Sequence, residues 1–557
     1  MDSSAARTFL AVVLSMAVIL LWQMYIASKY PQRTLDVSLS DGGVGTEGEL
    51  KSNKTVESGA EEKVVRDESS QISDFQRNEE FEEKTIILSN DFFEAIFTNK
   101  GGKLKSFELK KYYLARSPHK RVSLIEQDRP SLSLLLSSKL GKFTGEERYD
   151  FSEVSDKKIV FEHISQIGVK IVKEYTIIGN YEVLLKVRIL NETEKDFIFK
   201  PSLVLADFAL KGGLSKEDLK SSFEEYYYPI CLANESIHDG KDLKGGGISK
   251  SFEGKINWLA STSRYFISAV LPVEQKISMC KFASDSSYNF WAELVYPEMK
   301  ATQKNEITFS YKLYLGPKGY SMLRKVGADL ERAVDFGWLA VLCIPLLYLL
   351  NFFNSFAHNY GISIIILTIV VKIISIPFTQ KSMKSMQELQ KLKPKLDELQ
   401  KKYKDNREKL NEEMMKLYRE HGVSPFGGCL PIILQMPIWF ALYRMLSNSV
   451  ELYQAVFIPG WINDLSSKDP YYILPILLGV GTYLQQKITP TTMDSTQAKI
   501  MLYFMPAFLT FIMISLPSGL TLYIFVSSLL SIIHQVYMNK KSNLNKSQPK
   551  STREEEK

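Results

Sequence analysis

One basic side chain lies inside an apolar stretch of this chain. Residues 362–378 read ISIIILTIVVKIISIPF, and Lys372 is their one charged residue. An ionisable group at membrane depth costs roughly 2.5 to 3.5 kcal/mol to insert, so it generally faces protein or water and marks a functional position. Thr368 and Ser375 share its helical face. The alternative is that Lys372 extends its amine to the nearer membrane interface and has no further role.

Charge and hydropathy are segregated along the chain. Its 557 residues include 69 basic and 63 acidic side chains, a formal net charge of +6. Apolar runs occur at 9–26 and from about 337 onward, whereas 30–335 has the composition of a water-soluble protein. This pattern indicates a multi-domain membrane protein with a large soluble insertion, and no specific nucleic acid partner.

The residues that usually carry covalent chemistry form no pattern. Six histidines are scattered, and Cys343 and Cys429 lie apart in the membrane half. Cys231 and Cys280 share the soluble part, and the sequence leaves open whether they pair. Motifs for nucleotide binding, metalloproteases and serine hydrolases are missing from the sequence. We therefore expect no metal, no cofactor and no enzymatic activity.

The N-terminal region predicts an anchor followed by a linker. Phe9 to Ile26 is a near-continuous apolar run, and we expect residues 1–28 to form an uncleaved transmembrane anchor. The alternative is a signal peptide cleaved after the Ala and Ser at 27 and 28. Residues 29–84 are rich in Ser, Glu, Gly and Lys, which predicts a disordered linker.

Residues 85–318 predict an all-β exported sandwich. Short β-branched and aromatic runs alternate with Gly, Asn, Asp and Pro, as antiparallel strands do. These runs are TIILSNDFFEAIFTNKGGKLKSFEL, KKIVFEHI, VKIVKEYTII, YEVLLKVRIL, DFIFKPSLVLADF, RYFISAVLPV and NEITFSYKLYLGP. Such domains often bind sugars or peptides, but the runs hold no carboxylate pair. We expect a scaffold or docking surface.

The distribution of basic residues predicts the topology. Residues 379–423 contain twelve Lys and Arg, against one in the loop 451–470, which places 379–423 in the cytoplasm. If 337–353 and the Lys372 run both crossed the membrane, this basic stretch would share a side with the β domain. We therefore assign 337–353, which Pro345 interrupts, to an amphipathic helix in the membrane interface.

Residues 379–423 predict a cytoplasmic helical hairpin. Its two apolar seams are Leu389, Leu392, Leu396, Leu399 and Tyr403, then Leu410, Met414 and Leu417. We expect Pro394 to bend the first arm. The candidate docking surface comprises Met383, Met386, Leu389, Leu396 and Met415, because Met adapts to varied partners. The alternative is a solvated hairpin with no docking role.

The remaining segments complete a six-helix topology. They are an interfacial segment at 319–360, transmembrane helices at 361–378, 424–450, 470–487, 498–516 and 518–538, and a basic cytoplasmic tail at 539–557 that we expect to be disordered. With the anchor, both termini lie in the cytoplasm. The fourth helix has only 14 apolar residues, about 21 Å, against a bilayer core of about 30 Å, which predicts local thinning or shelter among neighbours.

Polar side chains in the predicted bundle suggest a hydrated groove. They are Lys372, Thr368, Gln435, Ser515, Thr521 and Ser528. Groups of this kind need partners inside a bilayer, and they either line a groove or join helices. The five helical runs after 361 contain no Asp or Glu, which disfavours a proton- or sodium-coupled transporter. A lone amine instead suits transient contact with an acidic or polar group that passes through.

Four segments of the membrane half resemble the YidC/Oxa/Alb family of membrane protein insertases. They are GISIIILTIVVKIISIPFTQKSM, EEMMKLYREHGVSPFGGCLPIILQMPIWFALYRML, DPYYILPILLGVGTYLQQKITPTT and PSGLTLYIFVSSLLSIIHQ. The anchor and β domain resemble the Gram-negative form of the family, whose sandwich is similar to the galactose-mutarotase supersandwich.

The resemblance implies five core helices around a cytoplasm-open hydrophilic groove that accepts the polar flank of a nascent membrane protein. The groove cation falls at Lys372, where members usually carry Arg, and the groove Thr at Thr368. Tyr523 is followed by Ile524 instead of a second aromatic residue. The candidate groove comprises Lys372, Thr368, Gln435, Tyr523, Ser375 and Thr521.

The resemblance also implies partners and a location. The partners are nascent membrane proteins, ribosome-nascent chain complexes, the Sec translocon and membrane lipids, and the location is the bacterial inner membrane with the β domain in the periplasm. The alternatives are a small-solute transporter with an exported receptor domain and an anchored sugar-binding sensor.

Overall fold

The computed structural model describes residues 81–547 apart from ten internal gaps: 115–116, 128–129, 139–140, 206–226, 241–248, 275–276, 285–289, 405, 423–429 and 490–494. The predicted anchor at 1–28, the linker up to residue 80, and residues 548–557 of the tail lie outside the described residues. The chain divides into two compact units between Val334 and Asp335.

The first unit is built from β-strands. Those described are β1 (Thr85–Ser89), β2 (Phe93–Thr98), β3 (Lys103–Leu114), β4 (Ser117–Ile125), β5 (Ser133–Ser138), β6 (Gly141–Phe143), β7 (Asp150–Ser155), β8 (Lys158–Ile164), β9 (Val169–Ile177), β10 (Glu182–Asn191), β11 (Phe197–Leu205), β12 (Tyr228–Ala233), β13 (Ser236–Asp239), β14 (Ser249–Glu253), β15 (Ile256–Thr262), β16 (Phe266–Pro272), β17 (Met279–Ser284), β18 (Phe290–Val295), β19 (Met299–Ala301) and β20 (Glu306–Pro317). A short helix, α1 (Tyr320–Val326), follows them. The predicted all-β domain is confirmed.

These strands form three antiparallel sheets. One has four strands in the order β1-β2-β3-β4, and one has nine in the order β13-β12-β15-β16-β20-β10-β9-β8-β7. The third has seven, in the order β14-β17-β18-β11-β5-β6 with β19 beside β11. In β10, buried Val183, Leu185, Val187 and Ile189 alternate with partly exposed residues, so the period-two pattern of the sequence fixes which face enters the core.

A disulfide bond joins two of the sheets. Cys231 of β12 lies in the nine-stranded sheet and Cys280 of β17 in the seven-stranded sheet, and the two sulfurs are bonded. Both residues are fully buried. The question that the sequence left open is thereby answered, and a covalent bond holds the two layers together.

A buried lysine also connects the sheets. Lys173 of β9 is fully buried, and its Nζ donates to the carbonyl of Gly101 at 2.7 Å and to that of Leu132 at 3.3 Å. Gly101 lies in the turn between β2 and β3, and Leu132 directly precedes β5, so one amine reaches elements of all three sheets. Gly101 adopts a φ of 74°, and a Cβ there would meet the Gly145 carbonyl oxygen at 1.9 Å.

The second unit is helical. Its helices are α2 (Ala340–Ala357), α3 (Tyr360–Lys402), α4 (Arg407–Glu420), α5 (Leu430–Asn448), α6 (Ile473–Ile488), α7 (Ser495–Met513) and α8 (Ser518–Ser547). Asn359 begins α3, because its side chain accepts the Gly361 and Ile362 backbone N–H groups.

Two boundaries differ from the sequence prediction. The predicted membrane helix at 361–378 and the first hairpin arm are one 43-residue helix, which continues through Pro377 and Pro394. Both prolines lie on the exposed side of the helix, and the hydroxyls of Ser375 and Thr379 bond backbone carbonyls within the same turns. The expectation of disorder from residue 539 is also wrong as far as Ser547, because α8 extends to that residue.

Length and composition identify several potential membrane spans. Among the described residues, three helical stretches are long and apolar enough to cross a membrane, at Gly337–Ala357, Tyr360–Lys402 and Ser518–Lys540, and Lys499–Met513 is a shorter apolar stretch. These criteria alone do not distinguish a crossing helix from an interfacial one. The six-helix count therefore stays a prediction.

The ionisation of Lys173 gives the β domain a testable pH dependence. Burial, reinforced by the positive charge of Lys103 and opposed by Glu147, lowers the pKa of Lys173 to about 7. The unfolded chain, with an ordinary lysine pKa, then binds more protons than the folded domain between pH 7 and pH 10.5, so stability rises with pH in that window. We expect the free energy of unfolding of a fragment of residues 81–334, measured with urea, to rise by roughly 2 kcal/mol from pH 7 to pH 9.

Lys173→Met is the matched control, because it keeps an unbranched chain of similar length without the amine. Its stability should be nearly flat between pH 7 and pH 9. An equal slope in both proteins would assign the pH dependence to another group.

Candidate functional site

Helices of the second unit line a partly open cavity of about 300 Å³. Its walls come from α2, α3, α5 and α8. The lining residues are Val341, Leu342, Pro345, Leu346, Val371, Lys372, Ile374, Ser375, Phe378, Thr379, Gln435, Ile438 and Tyr523. The walls are mostly apolar, and a few polar groups face the space, which is typical of a binding site. Four predicted groove residues, Lys372, Ser375, Gln435 and Tyr523, line this cavity.

The amine of Lys372 has a hydrogen-bond partner on a neighbouring helix. Its Nζ donates to Oγ of Ser531, on α8, at 2.8 Å. The Ser531 hydroxyl in turn donates to the backbone carbonyl of Ser527 at 2.8 Å. Oγ of Ser527 accepts a long hydrogen bond, 3.5 Å, from Nε2 of Gln435. The polar groups of α3, α5 and α8 thus meet beside the cavity.

The sequence prediction missed Ser527 and Ser531. They follow Tyr523 at steps of four residues, so Tyr523, Ser527 and Ser531 occupy one face of α8. That spacing was a usable signal. It was not decisive, because Ser528 and Thr521 are polar too and lie on other faces of the same helix.

Two predicted groove residues lie elsewhere. Thr368 and Thr521 are buried, and each hydroxyl bonds a backbone carbonyl four residues earlier, that of Ile364 at 2.6 Å and that of Pro517 at 3.2 Å. Neither lines the cavity. A threonine hydroxyl in an apolar surrounding is readily satisfied by its own helix, and these two are therefore reassigned to helix packing.

The other two polar bundle residues also lie away from the cavity lining. Ser515 is exposed, and Ser528 donates to Oε1 of Gln485, on α6, at 3.1 Å. Ser528 thus joins two helices, which is the alternative role that the sequence left open for such residues.

Acidic groups near the bundle are already engaged. Asp469 accepts hydrogen bonds from Nε1 of Trp461 at 2.8 Å and from the backbone N–H of Leu474 at 2.7 Å, at the start of α6. Asp464 accepts from the Gln454 backbone N–H at 2.9 Å. Among the residues that the structure describes, no carboxylate lies within ion-pair distance of Lys372. Its partner is a neutral hydroxyl.

The shortest helix of the bundle packs closely against its neighbours. A Cβ at Gly479 of α6 would overlap Oγ1 of Thr510, on α7, so glycine leaves room for the Thr510 hydroxyl at this helix contact. A Cβ at Gly481 would lie 3.5 Å from Oγ of Ser528, on α8. The 16 residues of α6 span about 24 Å, shorter than a bilayer core of about 30 Å.

The C-terminal half of α3 packs against α4 as a hairpin. Leu389, Leu392 and Leu396 are each about 5% exposed, and they contact Met414, Leu417 and Tyr418. Leu389 and Leu396 therefore belong to the hairpin core and not to the predicted docking surface, because a buried side chain cannot contact a partner. Met415 is exposed, and Met383 and Met386 are half-buried.

Comparisons with known proteins find matches that together cover both units. A family model described as the 60Kd inner membrane protein matches residues 352–546, and one described as the YidC periplasmic domain matches residues 85–349. A membrane protein insertase YidC of Geotalea daltonii is 36% identical over 477 residues, covering 82% of this chain and 87% of that protein. One of Syntrophus aciditrophicus is 34% identical over 559 residues, covering 96% and 99%.

Two solved structures were also matched. An active YidC insertase crystal structure with the first transmembrane domain resolved is 18% identical, with coverages of 82% of this chain and 92% of that chain and a TM-score of 0.36. A galactose mutarotase related enzyme from Lactobacillus acidophilus is 10% identical, with coverages of 42% and 97% and a TM-score of 0.31. TM-scores this low carry no argument about fold or activity.

The apolar helices and the separate β domain define a multi-domain membrane protein, with a mostly apolar cavity among its helices. Identity above 30% over more than four fifths of the chain is decisive for the family. The chain belongs to the YidC family of membrane protein insertases, which confirms the resemblance found in the sequence. It is an inner membrane protein with a periplasmic β domain.

The hairpin core can be tested by truncating its central leucine. Leu392→Ala leaves a cavity between α3 and α4 and should destabilise the hairpin by about 2 kcal/mol or more. We expect faster cleavage near residue 403 in limited proteolysis of the full chain. Met415→Ala is the control, because its side chain is exposed and its loss should change the cleavage rate little. Equal cleavage of the two variants would contradict the packing.

Proposed function

We propose that this chain performs its family's activity, the insertion of membrane proteins, through the cavity beside Lys372. The polar flank of a nascent membrane segment enters the cavity, and the apolar part moves sideways into lipid. The observation that carries this proposal is that Lys372 lines the cavity and that its amine is bonded to the neutral Ser531 hydroxyl. A cation without a carboxylate partner can donate hydrogen bonds to an acidic or carbonyl group of a passing polypeptide.

The cavity lowers the free-energy barrier to insertion, because its polar groups replace part of the hydration that the polar flank of the client loses. A charged residue at the bilayer centre costs roughly 2.5 to 3.5 kcal/mol, and unsatisfied backbone groups add to that cost. Gln435 and Tyr523 line the same cavity as the amine, so a polar flank finds hydrogen-bonding partners there. No covalent step is required, because the cavity only solvates and positions the polar flank of the client.

The short helix α6 supports a second contribution. Its length of about 24 Å is several ångströms less than the usual hydrocarbon thickness, and a mismatch of this kind is relieved by local thinning of the bilayer. A thinner bilayer shortens the distance that a polar flank must cross. The membrane lipids are thus partners in the reaction that we propose.

Contacts at both ends of α2 support the interfacial assignment of 337–353. Before this helix, Asp335 contacts Arg444 at 3.6 Å and accepts from Asn448 at 2.9 Å, near the end of α5. Late in the helix, Asn351 accepts from the hydroxyl of Tyr360 at 3.3 Å, at the start of α3.

The start of α3 and the end of α5 belong to the same end of the bundle. The side chain of Asn359 donates to the Phe457 carbonyl at 3.1 Å, which ties the start of α3 to the segment after α5. A helix tied at both ends to one end of the bundle does not cross the membrane. This leaves the twelve basic residues of 379–423 on the side opposite the β domain, and the termini in the cytoplasm.

The buried disulfide of the β domain fits that topology, because disulfides form in oxidising compartments such as the periplasm. On the cytoplasmic side, the hairpin presents the exposed Met415 and many basic residues. We propose it as the surface that meets ribosome-nascent chain complexes, and the Sec translocon as a partner within the membrane.

Site-specific photo-crosslinking tests the path of the client. A photoreactive residue placed at Ile438, in the cavity lining, should crosslink to a membrane protein stalled on the ribosome. A control at Phe511, exposed on α7 and outside the lining, should crosslink much less. Crosslinking of equal strength at both positions would remove the cavity from the pathway.

The charge of Lys372 makes a separate prediction. A hydrogen bond to a charged group contributes about 1.5 kcal/mol or more, so Lys372→Ala should lower insertion of a client with an acidic flank by roughly tenfold in reconstituted liposomes. Lys372→Arg keeps the charge and should retain most of the activity. Lys487→Ala, which removes an exposed lysine outside the cavity, is the control. Full activity of Lys372→Ala would remove the amine from the mechanism.

A further inference from the structure

The hydrogen bonding of Ser531 makes its oxygen an acceptor for Lys372. The Ser531 hydroxyl proton is given to the Ser527 carbonyl, one helical turn earlier at 2.8 Å. The lone pairs of Oγ are then turned toward the Lys372 amine, which donates to them at 2.8 Å. A hydroxyl has one donor and two acceptor sites. The donor of Ser531 is used on the backbone carbonyl, so its acceptor sites remain for the hydrogen bond that the amine donates.

The contact fixes a side chain that is otherwise flexible. A lysine side chain loses rotamer entropy when it is held in one place, and an unheld lysine in a membrane extends toward the nearest interface. Lys372 and Ser531 are 159 residues apart in sequence and lie on different helices, so the bond depends on the packing of α3 against α8. It holds the amine against α8, while Lys372 itself lines the cavity.

A neutral hydroxyl is also a partner that can be replaced. An ammonium binds a carboxylate more strongly than it binds a hydroxyl, because both groups of the first pair are charged. A carboxylate in place of Ser531 would hold the amine permanently and would close the site to a client. The neutral partner holds the amine ready without competing strongly.

We propose that Ser531 is a positioning residue that holds the Lys372 amine toward the cavity and is displaced when an acidic group of the incoming polypeptide binds. The proposal deepens the proposed function and rests on it. Ser531 acts only through Lys372, and its effect therefore depends on the presence of that amine and on the charge of the client.

Ser528 provides a matched control on the same helix. It is 6% exposed, and its hydroxyl also makes a hydrogen bond to another helix, to Gln485 of α6 at 3.1 Å. Ser528→Ala therefore removes one hydroxyl and one interhelical hydrogen bond from α8, as Ser531→Ala does, without touching Lys372.

The experiment measures insertion by the full chain in liposomes with two clients that differ at one position of the polar flank, Asp in one and Asn in the other. The variants are Ser531→Ala, Ser531→Thr, Ser528→Ala, Lys372→Ala and the double variant Lys372→Ala with Ser531→Ala. We expect Ser531→Ala to lower insertion of the Asp client about fivefold, the effect of one hydrogen bond, and that of the Asn client much less. Ser531→Thr keeps the hydroxyl and should restore insertion.

The double variant decides between positioning and a merely structural role. If Ser531 acts through Lys372, the double variant is no worse than Lys372→Ala alone, because coupled residues are not additive. Ser528→Ala should leave the preference between the two clients unchanged. An undiminished effect of Ser531→Ala in the Lys372→Ala background, or an equal loss with both clients, would overturn the proposal.

The outcomes also separate this inference from the proposed function. If Lys372→Ala lowers insertion but Ser531→Ala does not, only the positioning role fails. If Lys372→Ala has no effect, the amine has no part in insertion and both fail.

Discussion

The placement of the Lys372 amine among apolar helices is the constraint on which the site depends. A charge at this position is tolerated only with a hydrogen-bonding partner and contact with a polar space. The structure supplies Ser531 at 2.8 Å and a cavity of about 300 Å³. The serine hydroxyls of α8 and the amide of Gln435 gather at the same place, because polar side chains in a bundle satisfy one another.

The two units surround a lysine amine in different ways. Lys173 of the β domain has no exposed surface, and its amine is held by backbone carbonyls of adjacent turns, which gives it a structural role. Lys372 has a single hydroxyl partner among the described residues and faces a cavity. The same chemical group has a structural role where several backbone carbonyls hold it, and it is available for binding where one neutral hydroxyl is its partner.

The continuity of α3 links the cavity to the hairpin. One 43-residue helix carries Lys372 in its first half and the buried leucines of the hairpin in its second. From Lys372 to Leu392 the rise is about 30 Å, so a single element extends from the cavity wall to the hairpin core. Under the proposed topology, this helix places the surface that meets the ribosome in line with the cavity that receives the client.

The sequence determined the features that depend on local pattern. Composition identified the apolar runs and the lone amine within one of them. Alternating patterns predicted the seven strand runs of the β domain, and the motifs of the membrane half identified the family. Strands with less regular patterns, such as β12 and β15, were missed, because pairing between strands distant in sequence decides them.

Only the tertiary structure decided which faces meet. It paired Cys231 with Cys280, gave Lys372 the partner Ser531, turned Thr368 and Thr521 to their own backbones, and buried Leu389 and Leu396 inside the hairpin. The physical reason is that a side chain's chemistry is a property of the residue, whereas its partner is a property of the packing between elements far apart in the chain.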